Sequence, residues 1–223
     1  MFIGHFAVAF AAKKAAPTVS LGTLMLAAQF VDMLWPVFLL LGFEHVRIAP
    51  GITAFTPFDF YDYPISHSLL TGMEWGLVFG GAYYSFRSKD IRAAWILAGC
   101  VVSHWFLDVA SHRPDMPIFP WSDVKVGLGL WNSVPATLAV ELSLFATGVF
   151  VYLRSTTTTN QQGVWGMWGF IGFALVAYAA AAFGPPPPNV PTLAWSAQAA
   201  WLLTAWVYWF DKQRTPVAEK KSA

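Results

Sequence analysis

The run Ser103-His104-Trp105-Phe106-Leu107-Asp108-Val109-Ala110-Ser111-His112 sets an imidazole and a carboxylate four residues apart. On a helix that spacing turns both to one face, with His112 a turn further on if the helix continues. An imidazole and a carboxylate one turn apart can ligate one metal ion, as in helix-borne zinc sites, or pair by a hydrogen bond that only packs helices together. Further ionisable residues stand inside apolar stretches: His5, Asp32, Glu74 and Glu141. Inside a membrane helix such a side chain costs several kcal/mol unless paired or hydrated, which makes each a functional candidate. His67 follows Ser66, a suitable helix N-cap. Glu74 and Glu141 have three readings: support for a ligand, acceptor of a proton, or a protonated and silent acid. His45 beside Glu44 reads as a solvated loop end, and Trp35-Pro36 as a bend beyond Asp32.

The elements that must position these residues are membrane helices. Of the 223 residues 57% are hydrophobic and only 11% charged, against about 25% charged in soluble proteins. A disordered chain would need the opposite balance. Net charge +1 leaves no basic face for nucleic acid, and the single Cys100 forms no internal disulfide. Crossing about 30 Å of hydrocarbon takes roughly 20 apolar residues. Six stretches qualify, at about 20–43, 67–86, 91–110, 130–153, 164–183 and 193–210. Residues 2–12 are apolar but too short to cross, and read as a half-spanning or re-entrant helix. The fold expected is an all-α polytopic membrane bundle of about six transmembrane helices with that short N-terminal addition.

Ten of the thirteen basic residues fall at one end of these helices, among them Lys13, Lys14, Arg92, Arg154, Lys220 and Lys221. That end should be cytoplasmic, with both chain termini on that half. Arg47, Arg113 and Lys125 lie at the other end with the acidic loops 44–66 and 111–129. At 1.5 Å per residue, His104 lies roughly 9 Å below the outer end of its helix, Asp108 roughly 3 Å and Asp32 roughly 16 Å, with His5 near the midplane. The candidates share the outer half, which favours one cavity open to the outside, with room for two ions. Between Val164 and Phe210 there is no Asp, Glu, His, Lys or Arg. The chain therefore divides into a bundle at 1–153 carrying the chemistry, an apolar hairpin at 164–210 serving as buttress or oligomer contact outside the cavity, and a cytoplasmic tail at 211–223.

Gly4-His5, Asp32, Ser66-His67-Ser68 and His104-Trp-Phe-Leu-Asp108 together resemble a family of bacterial inner-membrane metal-dependent hydrolases, also described as LexA-binding membrane-associated hydrolases. The resemblance covers about residues 1–150 in motif order. The runs His112-Arg113-Pro114-Asp115-Met116-Pro117 and Val126-Gly127-Leu128-Gly129-Leu130-Trp131-Asn132 resemble a subgroup signature. It implies metal ligands at His5, Asp32, His67, His104 and Asp108, with a link to zinc-dependent phospholipase C-like hydrolases. Where family members often pair acids around the first Asp, this chain has Gln29 and Asp32, and His112 is a candidate additional ligand.

Three functions are open at this level. A multi-pass hydrolase of the bacterial inner membrane would bind a divalent metal, Zn²⁺ first among the candidates. It would use Glu74 or Asp115 as base and Arg47 and Arg113 to hold a phosphate or carboxylate. It would act from the periplasmic side on a lipid-like or phosphoester substrate beneath the 44–66 loop as a lid. A small transporter would use the same His and Asp residues as a relay. A structural or assembly subunit, as a homo-oligomer or within a larger membrane complex, would use them only to hold a metal or haem.

Overall fold

The structure is a computed structural model describing residues 1–120 and 122–217; Lys220 and Lys221 lie outside the described residues. It is mostly helical. The helices are α1 (Ile3–Ala15), α2 (Leu21–Ala28), α3 (Phe30–Leu41), α4 (Pro64–His67), α5 (Leu69–Phe86), α6 (Ile91–Ser111), α7 (Val134–Ser155), α8 (Gln161–Phe183), α9 (Val190–Ala197) and α10 (Ala199–Asp211). Helices α6, α7 and α8 are each long and apolar enough to cross a membrane. The pair α2–α3 is a fourth span if taken as one helix bent by 52°. Of the six stretches read from sequence, the second becomes the 18-residue α5, and the last is broken between α9 and α10.

Three two-stranded antiparallel ribbons add to the all-helical expectation. They pair β1 (His45–Ile48) with β2 (Phe58–Asp62), β3 (Met116–Pro117) with β4 (Lys125–Val126), and β5 (Thr156–Thr158) with β6 (Arg214–Pro216). In β2 the alternation of a strand separates Phe58 and Phe60 from Asp59 and Tyr61. The 44–66 loop is thus a folded ribbon.

Helix α1 runs through the bundle, and a carboxylate holds its start. Glu141 on α7 accepts from the N–H groups of Phe2 at 2.8 Å and Gly4 at 3.1 Å. Two of the donors that a helix N-terminus leaves unpaired are satisfied by a negative charge at the positive end of the dipole. Gly148 lets α7 approach closely: a Cβ there would stand 2.5 Å from the Ala7 carbonyl oxygen. Gly148→Leu should therefore destabilise the detergent-solubilised protein by about 1–3 kcal/mol or more. Gly99→Leu, with nothing within 4 Å of its Cβ, should leave the melting temperature within error or slightly raised.

On α5 the buried residues are Gly72, Gly76 and Gly80, a small-residue stripe of period four that faces α6. A Cβ at Gly80 would come within 2.5 Å of the Ala94 carbonyl oxygen. At the other end of the bundle, Asp211 accepts from Leu21 N–H at 2.7 Å, Lys13 Nζ at 3.3 Å and Tyr152 O–H at 2.7 Å. One buried carboxylate ties α1, α2, α7 and α10 together. The segment expected as a tail is therefore folded as far as Val217, whose N–H bonds to the Ser155 carbonyl.

Candidate metal centre

The bend falls between α2 and α3 at Gln29, seven residues before Pro36, and not at the Trp35-Pro36 pair where it was expected; Pro36 lies within α3. This break does two things for the site. It swings Asp32, in the first turn of α3, toward α6, and it frees the Ala28 carbonyl to accept from His104 Nδ1 at 2.9 Å. A carbonyl only accepts, so Nδ1 carries the hydrogen. A neutral His104 therefore presents a lone pair at Nε2.

A second chain of bonds does the same for His67. Ser66 does not cap α5; Ser68 does, accepting from Thr71 N–H at 3.2 Å. The reason is Glu44, which is buried and takes the N–H groups of Ile65 and Ser66, both at 2.7 Å, and so caps α4. The Ser66 hydroxyl donates to Glu44 at 2.6 Å, leaving its oxygen to accept from His67 Nδ1 at 2.6 Å. In a neutral ring His67 Nε2 is thereby also left as a lone pair. Burial pushes the Glu44 carboxyl upward, and the neighbouring His67, then the Ser66 and backbone donors, act against that shift.

These fixed rings converge with His5, Asp32 and Asp108. His104 Nε2 lies 3.2 Å from Asp108 Oδ2 and 3.4 Å from Asp32 Oδ1. His67 Nε2 lies 3.3 Å from the same Asp32 oxygen and 3.8 Å from Asp108 Oδ2. His5 Nε2 is 3.0 Å from Asp108 Oδ1, and its ring stacks on His104 with centroids 3.6 Å apart. The Met1 amine also lies against Asp108, and 3.1 Å from Ser111 Oγ. All of these are buried except Asp32, whose side chain keeps 35% of its surface exposed.

The deeply buried His104 Nε2 has no hydrogen-bond partner, although two carboxylate oxygens stand near it. With the hydrogen on Nδ1, a neutral ring would point an acceptor at acceptors. A positive centre between them resolves the repulsion, either a second proton on His104 or a cation. A second positive charge on the stacked His5 would meet an imidazolium at 3.6 Å. Two groups of ligand atoms, His5–His104–Asp108 and Asp32–His67–His104, each lie within 4.8 Å of one another and could hold a metal ion. The chemistry of the donors fits one.

No family model, curated protein or solved structure matches this chain.

The cluster forms one wall of a cavity of about 170 Å³, to which Asp32, His67 and Asp108 contribute polar groups. Phe58 and Phe60 from β2, Trp35, Trp131 and Phe55 make the rest largely aromatic. Ala181 on α8 also lines it, so the apolar hairpin expected outside the cavity supplies part of its wall.

The remaining sequence candidates fall elsewhere. Glu74 is exposed on the face of α5 opposite the glycine stripe. Helix α6 ends at Ser111, so His112 does not continue the His104–Asp108 face. It lines the cavity instead, with Nδ1 2.9 Å from Asp115 Oδ1. The Tyr63 hydroxyl lies 3.2 Å from the same Asp115 oxygen. Burial lowers His112 from the ordinary histidine range and raises Tyr63 well above that of tyrosine, Asp115 adding to the latter. Arg113 pairs with Asp59 and, through Nε at 3.1 Å, with Asp115. Arg47 lies over the Tyr61 ring at 4.1 Å. Neither arginine is among the cavity-lining residues.

Glu44 and Tyr63 are the residues that sequence reasoning missed. The signal for Glu44 was available: a turn opening Pro64-Ile65-Ser66 needs an acceptor for its first N–H groups. Ser66→Ala should loosen the His67 ring, and from supporting residues of this kind a 10–100-fold loss of metal affinity follows. Competition titration against a chromogenic chelator measures it.

Proposed function

We propose that this protein is a membrane-embedded, metal-dependent hydrolase whose centre is the cluster of His5, Asp32, His67, His104 and Asp108. The observation that carries the reading is His104 Nε2, which is a lone pair in the neutral ring, has no hydrogen-bond partner and faces two carboxylates. Neutral imidazoles with carboxylates suit Zn²⁺ best among the common divalent ions. When bound, such an ion is a Lewis acid and provides a nucleophile at neutral pH.

The chain's own residues supply the rest. Ser66–Glu44 and the Ala28 carbonyl hold two rings in the ligating tautomer. His112, kept neutral by burial and held at Nδ1 by Asp115, stands on the cavity wall to take a proton from a reacting group. Asp115 orients that base, and Glu74, on the far face of α5, takes no part. The aromatic walls accept an apolar body and the polar floor a head group, which favours a lipid-like phosphoester. Arg47 and Arg113 stand outside the cavity lining, where they would meet an approaching anion.

The six-crossing topology, with the cluster toward the periplasm of a bacterial inner membrane, completes the proposal. The test is metal content of natively purified protein together with hydrolysis of a lipid phosphoester, in wild type beside His104→Ala.

A further inference from the structure

At the opposite end of the bundle, three helix ends bring cations to one cavity of about 650 Å³, in the size range of small-molecule sites. Lys14 comes from the end of α1, Arg92 from the start of α6 and Arg154 from the end of α7. Lys13 also lines it, but its ammonium is already taken by the Val19 carbonyl at 2.7 Å and by Asp211. Lys14, Arg92 and Arg154 have no acidic partner among the described residues, and all three are exposed. The site is remote from the His/Asp cluster: Arg92 and His104 are twelve residues apart on α6, roughly 18 Å.

Cations from three separate helices line this cavity with no carboxylate partner among the described residues, Arg154 resting over the Phe150 ring at 5.7 Å, and an anion in the cavity would give all three a partner. Guanidinium forks match phosphate oxygens in pairs, and an ammonium adds a point charge. The surroundings select the source of the phosphate. Phe150 and Val217, both on the cavity wall, are 60% and 50% exposed. Cations next to exposed apolar side chains at the end of membrane helices match the boundary between head groups and acyl chains. A free anion would have no use for the apolar border.

We propose that this inner cavity binds the phosphate of an anionic phospholipid, with Lys14, Arg92 and Arg154 as its ligands. The site stands independently of the hydrolase reading.

Calorimetric titration of the purified full chain in a neutral detergent tests it, with dihexanoyl phosphatidylglycerol, dihexanoyl phosphatidylcholine and inorganic phosphate as probes. Saturable binding of the glycerol lipid is expected, with none of the choline lipid and phosphate at least tenfold weaker. The variant Lys14→Gln/Arg92→Gln/Arg154→Gln should weaken it about a hundredfold, near fivefold per charge. Arg87→Gln/Lys89→Gln removes two exposed cations on the neighbouring α5–α6 turn and should stay within twofold of wild type. Equal binding of choline lipid or of inorganic phosphate would overturn the proposal. So would a triple variant that binds like wild type, or an equal loss in the Arg87/Lys89 pair. If the triple variant does not fold, the three single variants are read instead, and three unweakened singles are equally fatal.

Discussion

His104→Ala is expected to purify with no bound divalent metal where the wild type carries at least one ion per chain. His104 belongs to both groups of ligand atoms, so its loss leaves neither complete. Binding to the folded state alone at a thousand times the dissociation constant adds about 4 kcal/mol. For a chain of this length that is about 10 °C in Tm. Wild type treated with a chelator should fall by that amount and recover on readdition of Zn²⁺, and His104→Ala should respond to neither. The increment has a sign with pH. Ligands must be neutral imidazole and ionised carboxylate, so protons compete. The metal-dependent gain should be complete near pH 8 and vanish as pH falls through the imidazole range, about 6.5. If the positive centre is instead a second proton on His104, the wild type carries no metal and chelators change nothing, which refutes the hydrolase reading.

What the sequence showed of this site, and what it hid, has a common cause. An ionisable residue in an apolar helix has few explanations, so His5, Asp32, His67, His104 and Asp108 stood out singly. Their meeting did not follow from depth. A straight helix puts Asp32 roughly 7 Å below His104, whereas the two side chains approach within 3.4 Å because the chain turns by 52° at Gln29. Nothing in Ala27-Ala28-Gln29-Phe30 marks a break; Pro36, the usual marker, lies inside α3.

The exposed position of Glu74 was readable. Two residues from both Gly72 and Gly76, it points away from the face those glycines pack. The need for an acceptor at Pro64-Ile65-Ser66 was legible, but not that Glu44 meets it, because Ile65 and Ser66 are 21 and 22 residues away across a ribbon that no hydropathy pattern announces. The membrane character, by contrast, follows from composition alone, and three apolar helices carry it. The hairpin at 164–210 looked detached because it lacks charge. Packing needs none: Tyr178 on α8 stacks on Phe2 with ring centroids 6.0 Å apart, beside the cavity.

Asp108→Asn separates chemistry from scaffolding most sharply. Among the described residues, Asp108 alone lies within 4 Å of His5, His67 and His104 together, as well as of the Met1 amine. The amide has nearly the same volume and still accepts through one oxygen. It offsets no cationic charge and ligates poorly. In a working metal centre, hydrolysis of a lipid phosphoester should fall at least a hundredfold, because losing a ligand exceeds the 10–100-fold cost of losing its supporting residue. Metal content should fall with it, while the protein still extracts as a single folded species. If the cluster only packs helices, the change costs about 1–3 kcal/mol through one poorly satisfied buried group. Melting then shifts with no activity to lose. A relay for protons or ions gives a third pattern, flux blocked while metal content stays at the wild-type value. The patterns differ because the substitution acts on charge and hardly on shape. Only a site that needs the carboxylate's charge at the metal loses ion and turnover together.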